Sequence, residues 1–324
     1  MSIPQNRQPS YHLRPNKAVD RLLFIEKISF LEKIGLRLSD YTYYGFGGPY
    51  LEEFRILYEF WPDIKMVSIE KRKEIYKRQC FHRPCRRVRL VHERFSSFLA
   101  QYDPQDCKSI FWLDYTGLRY EHFDELQLLL GKVADFSVIK ITLECNPKEY
   151  HTADNEETQR RIERFSEEFE AVLPRSSATP SWNYEDFAFL LQEMIQVAAE
   201  KTLQGLARIY QPISSFCYAD GAGMFTFMGI VCPSADQSRV QKAFRKKPFA
   251  KVDWSRPYKI ALPILSTKER LHIQKRLPRR TNAGRTLSKA LGYLIDDNAQ
   301  KSEEVLKQYA DFHRYYPYFV KAIP

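Results

Sequence analysis

The residues best suited to chemistry lie between positions 41 and 70. An aromatic segment runs into Gly45-Phe46-Gly47-Gly48-Pro49, and a second apolar segment ends in Glu70. Glycine permits a sharp turn and a close approach of the backbone to a ligand, and the following helix offers unpaired N–H groups. An acid about 20 residues beyond the glycines can accept hydrogen bonds from both hydroxyls of a ribose. The pattern indicates half of a nucleotide-type site.

A frame of alternating strands and helices is needed to position these residues. Apolar segments rich in Val, Ile, Tyr and Phe recur with room for a helix between them, which is typical of β-α-β units. Strands are predicted at 41–46, 65–70, 87–92, 109–114 and 137–143, with helices at 50–60, 72–80, 96–102 and 120–130. Such units form a parallel sheet that binds ligands at the carboxyl ends of its strands. Gly45, Glu70 and Asp114 lie at such ends.

The pattern changes after the fifth strand. Residues 146–182 are polar and predict an insertion, and 184–210 predict a long helix. Segments 213–218 and 225–232 surround a short Asp-Gly connection, which predicts a hairpin. The expected fold is α/β and doubly wound, with a mostly parallel seven-stranded sheet that ends in an antiparallel hairpin.

Three regions are expected along the chain: an N-terminal helical segment (1–40), a Rossmann-like domain (41–232) and a small, basic helical module at the C-terminus (233–324). In the module, Ser266 followed by Glu269 has the spacing of a capping box, which predicts that a helix begins there.

The formal net charge of +10 is concentrated in one segment, because residues 239–285 contain fifteen Lys or Arg and two Asp or Glu. A regional basic surface attracts nucleic-acid phosphates. The candidate contacts are Arg245, Lys246, Lys247, Arg279 and Arg280. The alternatives are a solvated loop or a surface that meets an acidic protein partner.

The six cysteines are scattered without a C-x-x-C pair, which favours reduced thiols and a cytoplasmic protein. No apolar run reaches the roughly 18 residues of a membrane span, and the N-terminus lacks the apolar core of a signal peptide. Cys80, His82, Cys85 and His92 do not have the paired spacing typical of zinc ligands, so no metal site is expected.

Residues 41–232 together resemble the class I S-adenosylmethionine (SAM)-dependent methyltransferases in their five β/α units, glycine turn, acid and terminal hairpin. The first loop of that family reads acid-x-Gly-x-Gly-x-Gly. Gly45 and Gly47 match two of its glycines, Tyr43 stands in the place of the acid, and Pro49 stands in the place of the last glycine, with Gly48 displaced by one.

The resemblance implies SAM as the cofactor. It assigns Glu70 to the ribose and Glu93 to the adenine amino group. The other candidate cofactor contacts are Tyr44, Gly45, Phe46, Gly47, Gly48 and Phe95. Asp114 and Tyr115 match the end of the fourth strand, where the acceptor and the methyl group meet. Asp114 would accept a proton or a hydrogen bond from the acceptor, and Tyr115 would stack on the acceptor or line the methyl path.

Two hypotheses of different classes follow. The first is a SAM-dependent methyltransferase that acts on a nucleic acid or a nucleic-acid-associated substrate. The second is a methyltransferase-like fold without catalysis that serves as a nucleic-acid-binding or protein-binding subunit of a larger assembly. NAD binding fits less well, because its Gly-x-Gly-x-x-Gly fingerprint requires a glycine where Tyr50 stands.

Overall fold

Five β/α units form the first half of the chain, as the apolar periodicity predicts. The computed structural model describes residues 14–104, 107–150, 154–175, 182–279 and 281–317. The elements are α1 (Pro15–Ser29), β1 (Tyr41–Gly45), α2 (Glu52–Phe60), β2 (Lys65–Ile69), α3 (Lys73–His82), β3 (Val88–Val91), α4 (Phe95–Gln101), β4 (Lys108–Asp114), α5 (Tyr120–Lys132) and β5 (Val138–Glu144).

The second half adds a hairpin and more helices. The elements are α6 (Asn155–Phe169), α7 (Tyr184–Leu203), β6 (Arg208–Asp220), β7 (Ala222–Pro233), α8 (Gln237–Arg245), β8 (Tyr258–Ile260), α9 (Thr267–Gln274), α10 (Ala283–Leu291) and α11 (Ala299–Phe312). The capping box is present, since the Ser266 side chain accepts a hydrogen bond from Glu269 N–H and the Glu269 side chain accepts one from Ser266 N–H. Helix α7 ends earlier than predicted, and Gly205 follows it in the left-handed region at φ 79°.

The strand order is β3-β2-β1-β4-β5-β7-β6-β8. Strands β1 to β5 pair in parallel, and β7 pairs antiparallel with β5. This confirms the doubly wound, mostly parallel sheet with its antiparallel hairpin. The sheet has eight strands where seven were predicted, because β8 is only three residues long and shows no periodicity in the sequence.

The centre of the sheet is covered on both faces. Strand β5 is buried along its first six residues and β4 along its middle five, so neither alternates between buried and exposed residues. Helix α5 packs against α4 and α7. Covering helices leave the carboxyl edge of the sheet as the place where polar side chains collect.

The described chain divides into two units. The larger contains residues 25–217 and 222–258, and the smaller contains 14–24, 218–221 and 259–317. In the smaller unit, α10 packs against α9 and α11. Among the described residues, no helix is both long enough and apolar enough to cross a membrane.

Candidate active site

The glycine turn after β1 has a backbone that other residues would strain. Gly47 has φ 69° and Gly48 has φ 54°, both in the left-handed region that favours glycine. A Cβ on Gly47 would lie 2.5 Å from Leu51 Cδ2 and 2.9 Å from Phe54 Cε2. A Cβ on Gly48 would meet no atom of the described residues within 4 Å. Gly47 is therefore needed for both conformation and space, and Gly48 borders open space.

A buried glutamine on α3 holds this turn. Gln79 is completely buried, and its Nε2 donates hydrogen bonds to the carbonyl oxygens of Phe46 and Gly48, each at 2.8 Å. Its Oε1 accepts a hydrogen bond from the hydroxyl of buried Ser68 at 3.0 Å. Sequence reasoning missed Gln79. The sequence gives no local signal for it, because α3 is a largely polar helix and its buried residue is this polar glutamine.

Tyr43 stands where the methyltransferase pattern has an acid, and it is a core residue. Its side chain is fully buried, and its ring meets Phe54 edge to face with centroids 5.0 Å apart. A Cβ on Gly45 would lie 2.6 Å from Tyr43 Oη. The hydroxyl of Tyr43 therefore occupies the space that a side chain at position 45 would need.

Glu70 lies just beyond β2, beside the end of β3. Its N–H donates to Val91 O at 3.0 Å, and its Oε1 accepts from Arg72 N–H at 2.7 Å. Burial raises the pKa of this half-buried carboxyl group. A carboxylate offers about four acceptor positions, so one internal hydrogen bond leaves capacity for two ribose hydroxyls.

Three of the predicted aromatic side chains come together at the carboxyl edge of the sheet. The Phe46 ring meets Phe95 at 5.5 Å and Tyr115 at 5.3 Å, both edge to face. Tyr44 lies in an aromatic cluster with Phe98, Tyr102 and Phe111, and it stacks on Phe111 at 4.5 Å.

The other two predicted acids also lie at strand ends. Glu93 follows β3 and is half-buried. Asp114 is the last residue of β4, is half-buried, and pairs in register with Thr142 on β5. The structure therefore places all three predicted acids at the carboxyl edge of the sheet, where the parallel strands end.

Tyr115 is fixed by two residues of α5. Its hydroxyl donates to Glu125 Oε2 at 2.5 Å, and its ring stacks on His122 with centroids 3.9 Å apart. Burial raises the pKa of Tyr115 well above its usual value, so the hydroxyl keeps its proton at neutral pH. Burial, together with the charges of Arg119 and Lys71, lowers the pKa of His122 to about 4, so its imidazole is neutral.

Sequence reasoning missed both partners of Tyr115. Burial raises the pKa of the Glu125 carboxyl group. The spacing of His122 and Glu125, three residues apart on one helix, puts them on one face. That spacing was the only available signal, and many pairs of surface residues share it.

The predicted nucleic-acid contacts divide between the two units. Arg245 and Lys246 are exposed at the end of α8 in the larger unit, and Lys247 Nζ lies 4.4 Å from the centre of the Phe30 ring. Arg279 is exposed in the smaller unit, and its Nε donates to Thr281 O at 3.0 Å. Arg280 lies outside the described residues.

Part of the basic segment has a structural role. Arg256 is paired with Asp186 at 2.5 Å, and Arg270 is buried and donates to Pro317 O at 3.0 Å. Within the described ranges, no group of three or more His, Cys, Asp or Glu side chains could hold a metal ion.

A protein-family model described as "Putative O-methyltransferase" matches residues 9–324, nearly the whole chain. The chain belongs to this family. The match and the strand order make it a member of the class I SAM-dependent methyltransferases. A search of curated proteins found no significant match.

Solved structures resemble this methyltransferase-family chain only weakly. A "putative O-methyltransferase" from Klebsiella pneumoniae is 10% identical, with 69% of this chain and 83% of that chain covered and a TM-score of 0.38. TYW2 of M. jannaschii in complex with AdoMet is 13% identical, with 60% and 68% covered and a TM-score of 0.34. The fibrillarin/Nop5p complex is 11% identical, with 41% and 62% covered and a TM-score of 0.29. This chain therefore spans less than two thirds of the fibrillarin/Nop5p match.

The site fits SAM, the cofactor of this family. Gly47 and Gly48 lie in the left-handed region, and a Cβ at Gly48 would meet none of the described atoms within 4 Å, so a ligand can approach the backbone at Gly48. Glu70 supplies an acid at the end of the next strand, with capacity for ribose hydroxyls.

Proposed function

We propose that this chain is a SAM-dependent methyltransferase that acts on a nucleic acid or a nucleic-acid-associated substrate. The observation that carries the proposal is the glycine turn held by Gln79 at the same sheet edge as half-buried Glu70. Such a turn and acid are the two parts that bind the nucleoside of a cofactor in this type of sheet.

The binding residues have separate roles. Glu70 accepts hydrogen bonds from the ribose hydroxyls, Glu93 accepts one from the adenine amino group, and the rings of Phe46 and Phe95 form an apolar wall. The backbone at Gly47 and Gly48 approaches the methionine part of SAM. The acid that the family pattern places before these glycines is replaced by Tyr43 in this chain. SAM, when bound, supplies a methyl group that is already activated by its sulfonium.

Asp114 and Tyr115 act on the acceptor. The family description supports an oxygen as the acceptor atom, and a hydroxyl must lose its proton as the methyl group is transferred. Asp114 accepts a hydrogen bond from that hydroxyl and then its proton. Tyr115 forms a fixed wall because its hydroxyl is held by Glu125 and its ring by His122. Alignment of the acceptor in line with the methyl carbon supplies the remaining catalysis.

Exposed basic side chains support a nucleic-acid substrate. Arg245, Lys246 and Arg279 are all exposed, and Arg280 is proposed from its place in the basic segment. Phosphate contacts of this kind position a nucleic acid without reading its sequence. All six cysteines are free, which supports a reducing, cytoplasmic setting.

A second candidate function is a binding subunit without catalysis in a larger assembly. The observation that favours it is Tyr43, which is fully buried at the position of the family acid and therefore cannot replace that acid at the methionine end of SAM. In this case the fold and the basic side chains serve binding alone, and the protein transfers no methyl group.

Transfer of a labelled methyl group separates the two candidates. The full chain is incubated with [methyl-3H]SAM and total RNA, genomic DNA or a mixture of simple phenols. Label in RNA or DNA that is lost in Asp114→Asn and kept in the exposed-surface control Glu74→Gln supports the proposal. Label in phenols alone contradicts the nucleic-acid part, and no transfer to any pool favours the second candidate.

A further inference from the structure

Four arginines line a cavity on the outer edge of the sheet, where β3 is the terminal strand. The cavity has a volume of about 350 Å³, within the range of small-ligand sites. Its lining residues are Tyr76, Cys80, Arg83, Arg86, Arg87, Arg89 and Leu90. None of these is acidic, so the cavity is suited to an anion.

The local fold holds some of these arginines in place. Arg83 Nε donates to Cys85 O at 3.1 Å, and its Nη2 donates to Arg86 O at 2.7 Å. Arg87 is paired with Asp63 at 3.1 Å. In the described part of the chain, no carboxylate lies within ion-pair distance of Arg86 or Arg89. These two guanidinium groups can therefore bind phosphate, whose oxygens match their planar fork of donors.

An aromatic pair lies beside the arginines. The ring of Tyr76, which lines the cavity, stacks on the exposed His92 with centroids 4.9 Å apart and an interplanar angle of 25°. Arg87 and His92 directly flank β3, so at about 3.3 Å per residue they are separated by roughly 17 Å. A basic groove that ends in an exposed aromatic ring is the arrangement that binds single-stranded nucleic acid, through phosphates and base stacking.

We propose that the arginine cavity binds the phosphodiester backbone of a single-stranded nucleic acid and that one base stacks on the Tyr76–His92 pair. The proposal rests on the nucleic-acid part of the proposed function and adds a contact surface to Arg245, Lys246, Lys247, Arg279 and Arg280. His92 immediately precedes Glu93. A single-stranded nucleic acid bound along β3 therefore leads toward the carboxyl edge of the sheet, where the proposed cofactor contacts lie.

Fluorescence anisotropy tests the phosphate contacts. The full chain is titrated into labelled 12-nucleotide oligo(dT) and oligo(U) over a range of salt concentrations. The double variant Arg86→Ala, Arg89→Ala should weaken binding at least tenfold at low salt. It should also reduce the slope of log K against log salt by about 1.4, because each single-strand phosphate contact contributes about 0.7. The control Arg160→Ala, Arg164→Ala removes two exposed charges from α6 and should change affinity less than twofold.

A second arm tests the stacked base. His92→Ala should weaken binding of oligo(dT) several-fold and leave binding of an abasic 12-mer unchanged. Equal losses for both oligomers would overturn the stacking part of the proposal. Unfolding curves of each variant confirm that it is folded.

Failure of this inference is distinct from failure of the proposed function. If the wild-type chain binds oligonucleotides and the Arg86, Arg89 double variant binds equally well, the cavity proposal is wrong and the proposed function stands. If the wild-type chain binds no oligonucleotide at low salt, both the cavity proposal and the nucleic-acid part of the function are wrong. Binding of S-adenosylhomocysteine (SAH), the demethylated product of SAM, reports on the cofactor site in either case.

Discussion

Replacement of Gln79 tests how the cofactor turn is held. Gln79→Leu keeps the approximate side-chain volume and removes both donors to the turn, each at 2.8 Å, and the acceptor for Ser68. A net hydrogen bond contributes about 0.5–1.5 kcal/mol, and a buried polar group left without a partner costs about 1–3 kcal/mol. We therefore expect the free energy of unfolding to fall by about 2–4 kcal/mol.

The cofactor affinity should fall as well, because the carbonyls of Phe46 and Gly48 set the path of the turn. We expect a rise of at least tenfold in the Kd for SAH, which corresponds to about 1.4 kcal/mol. Urea unfolding gives the stability, and calorimetric titration at a temperature where the variant is folded gives the Kd. Gln127→Leu is the control, since Gln127 makes one long hydrogen bond, to Ala198 O at 3.4 Å. An unchanged SAH affinity in folded Gln79→Leu would refute the role of Gln79.

Three further predictions concern the same edge of the sheet. Gly47→Ala should reduce stability by about 1–3 kcal/mol more than Gly48→Ala in urea unfolding, because both strain the backbone but only the first collides with neighbours. Tyr115→Phe and Glu125→Gln should show a coupling energy of about 0.5–3 kcal/mol in a double-mutant cycle. Wild type should lose stability as the pH falls from 6.5 to about 4, because His122 binds a proton in the unfolded chain but not in the folded chain. His122→Asn should reduce this loss.

Each of these has a result that contradicts it. Equal destabilisation by the two glycine substitutions would mean that a Cβ on Gly47 does not collide with Leu51 and Phe54. Additive effects in the cycle would mean that Tyr115 and Glu125 do not interact. Thermal melts with the same pH dependence for wild type and His122→Asn would mean that His122 does not titrate with a lowered pKa.

The strands and the glycine turn could be predicted because their signals are local. Apolar segments separated by helix-length spacings define the β/α units, and glycines directly after a strand mark the turn. Strands β6 and β7 were predicted too short, since they are buried over most of their length and lack the alternation that marks a half-buried strand. Helix α8 is not among the predicted elements, because the charge of its segment masks the apolar residues Val240 and Phe244 that it buries.

The contacts that complete the site depend on tertiary structure. Gln79 meets Phe46 from 33 positions away, and Glu125 meets Tyr115 across the loop between β4 and α5. Residue type at one position does not reveal such pairs. The burial of Tyr43 beneath Gly45 is of the same kind, because it depends on which face of β1 packs against α2.

A calorimetric titration of the full chain with SAH tests the SAM site most directly. The cofactor site described above predicts saturable 1:1 binding that weakens at least tenfold in Glu70→Ala and is unchanged in Glu74→Ala, a control on the exposed first turn of α3. No binding at millimolar SAH, or equal affinity in Glu70→Ala and wild type, would contradict a SAM site built on the glycine turn and Glu70.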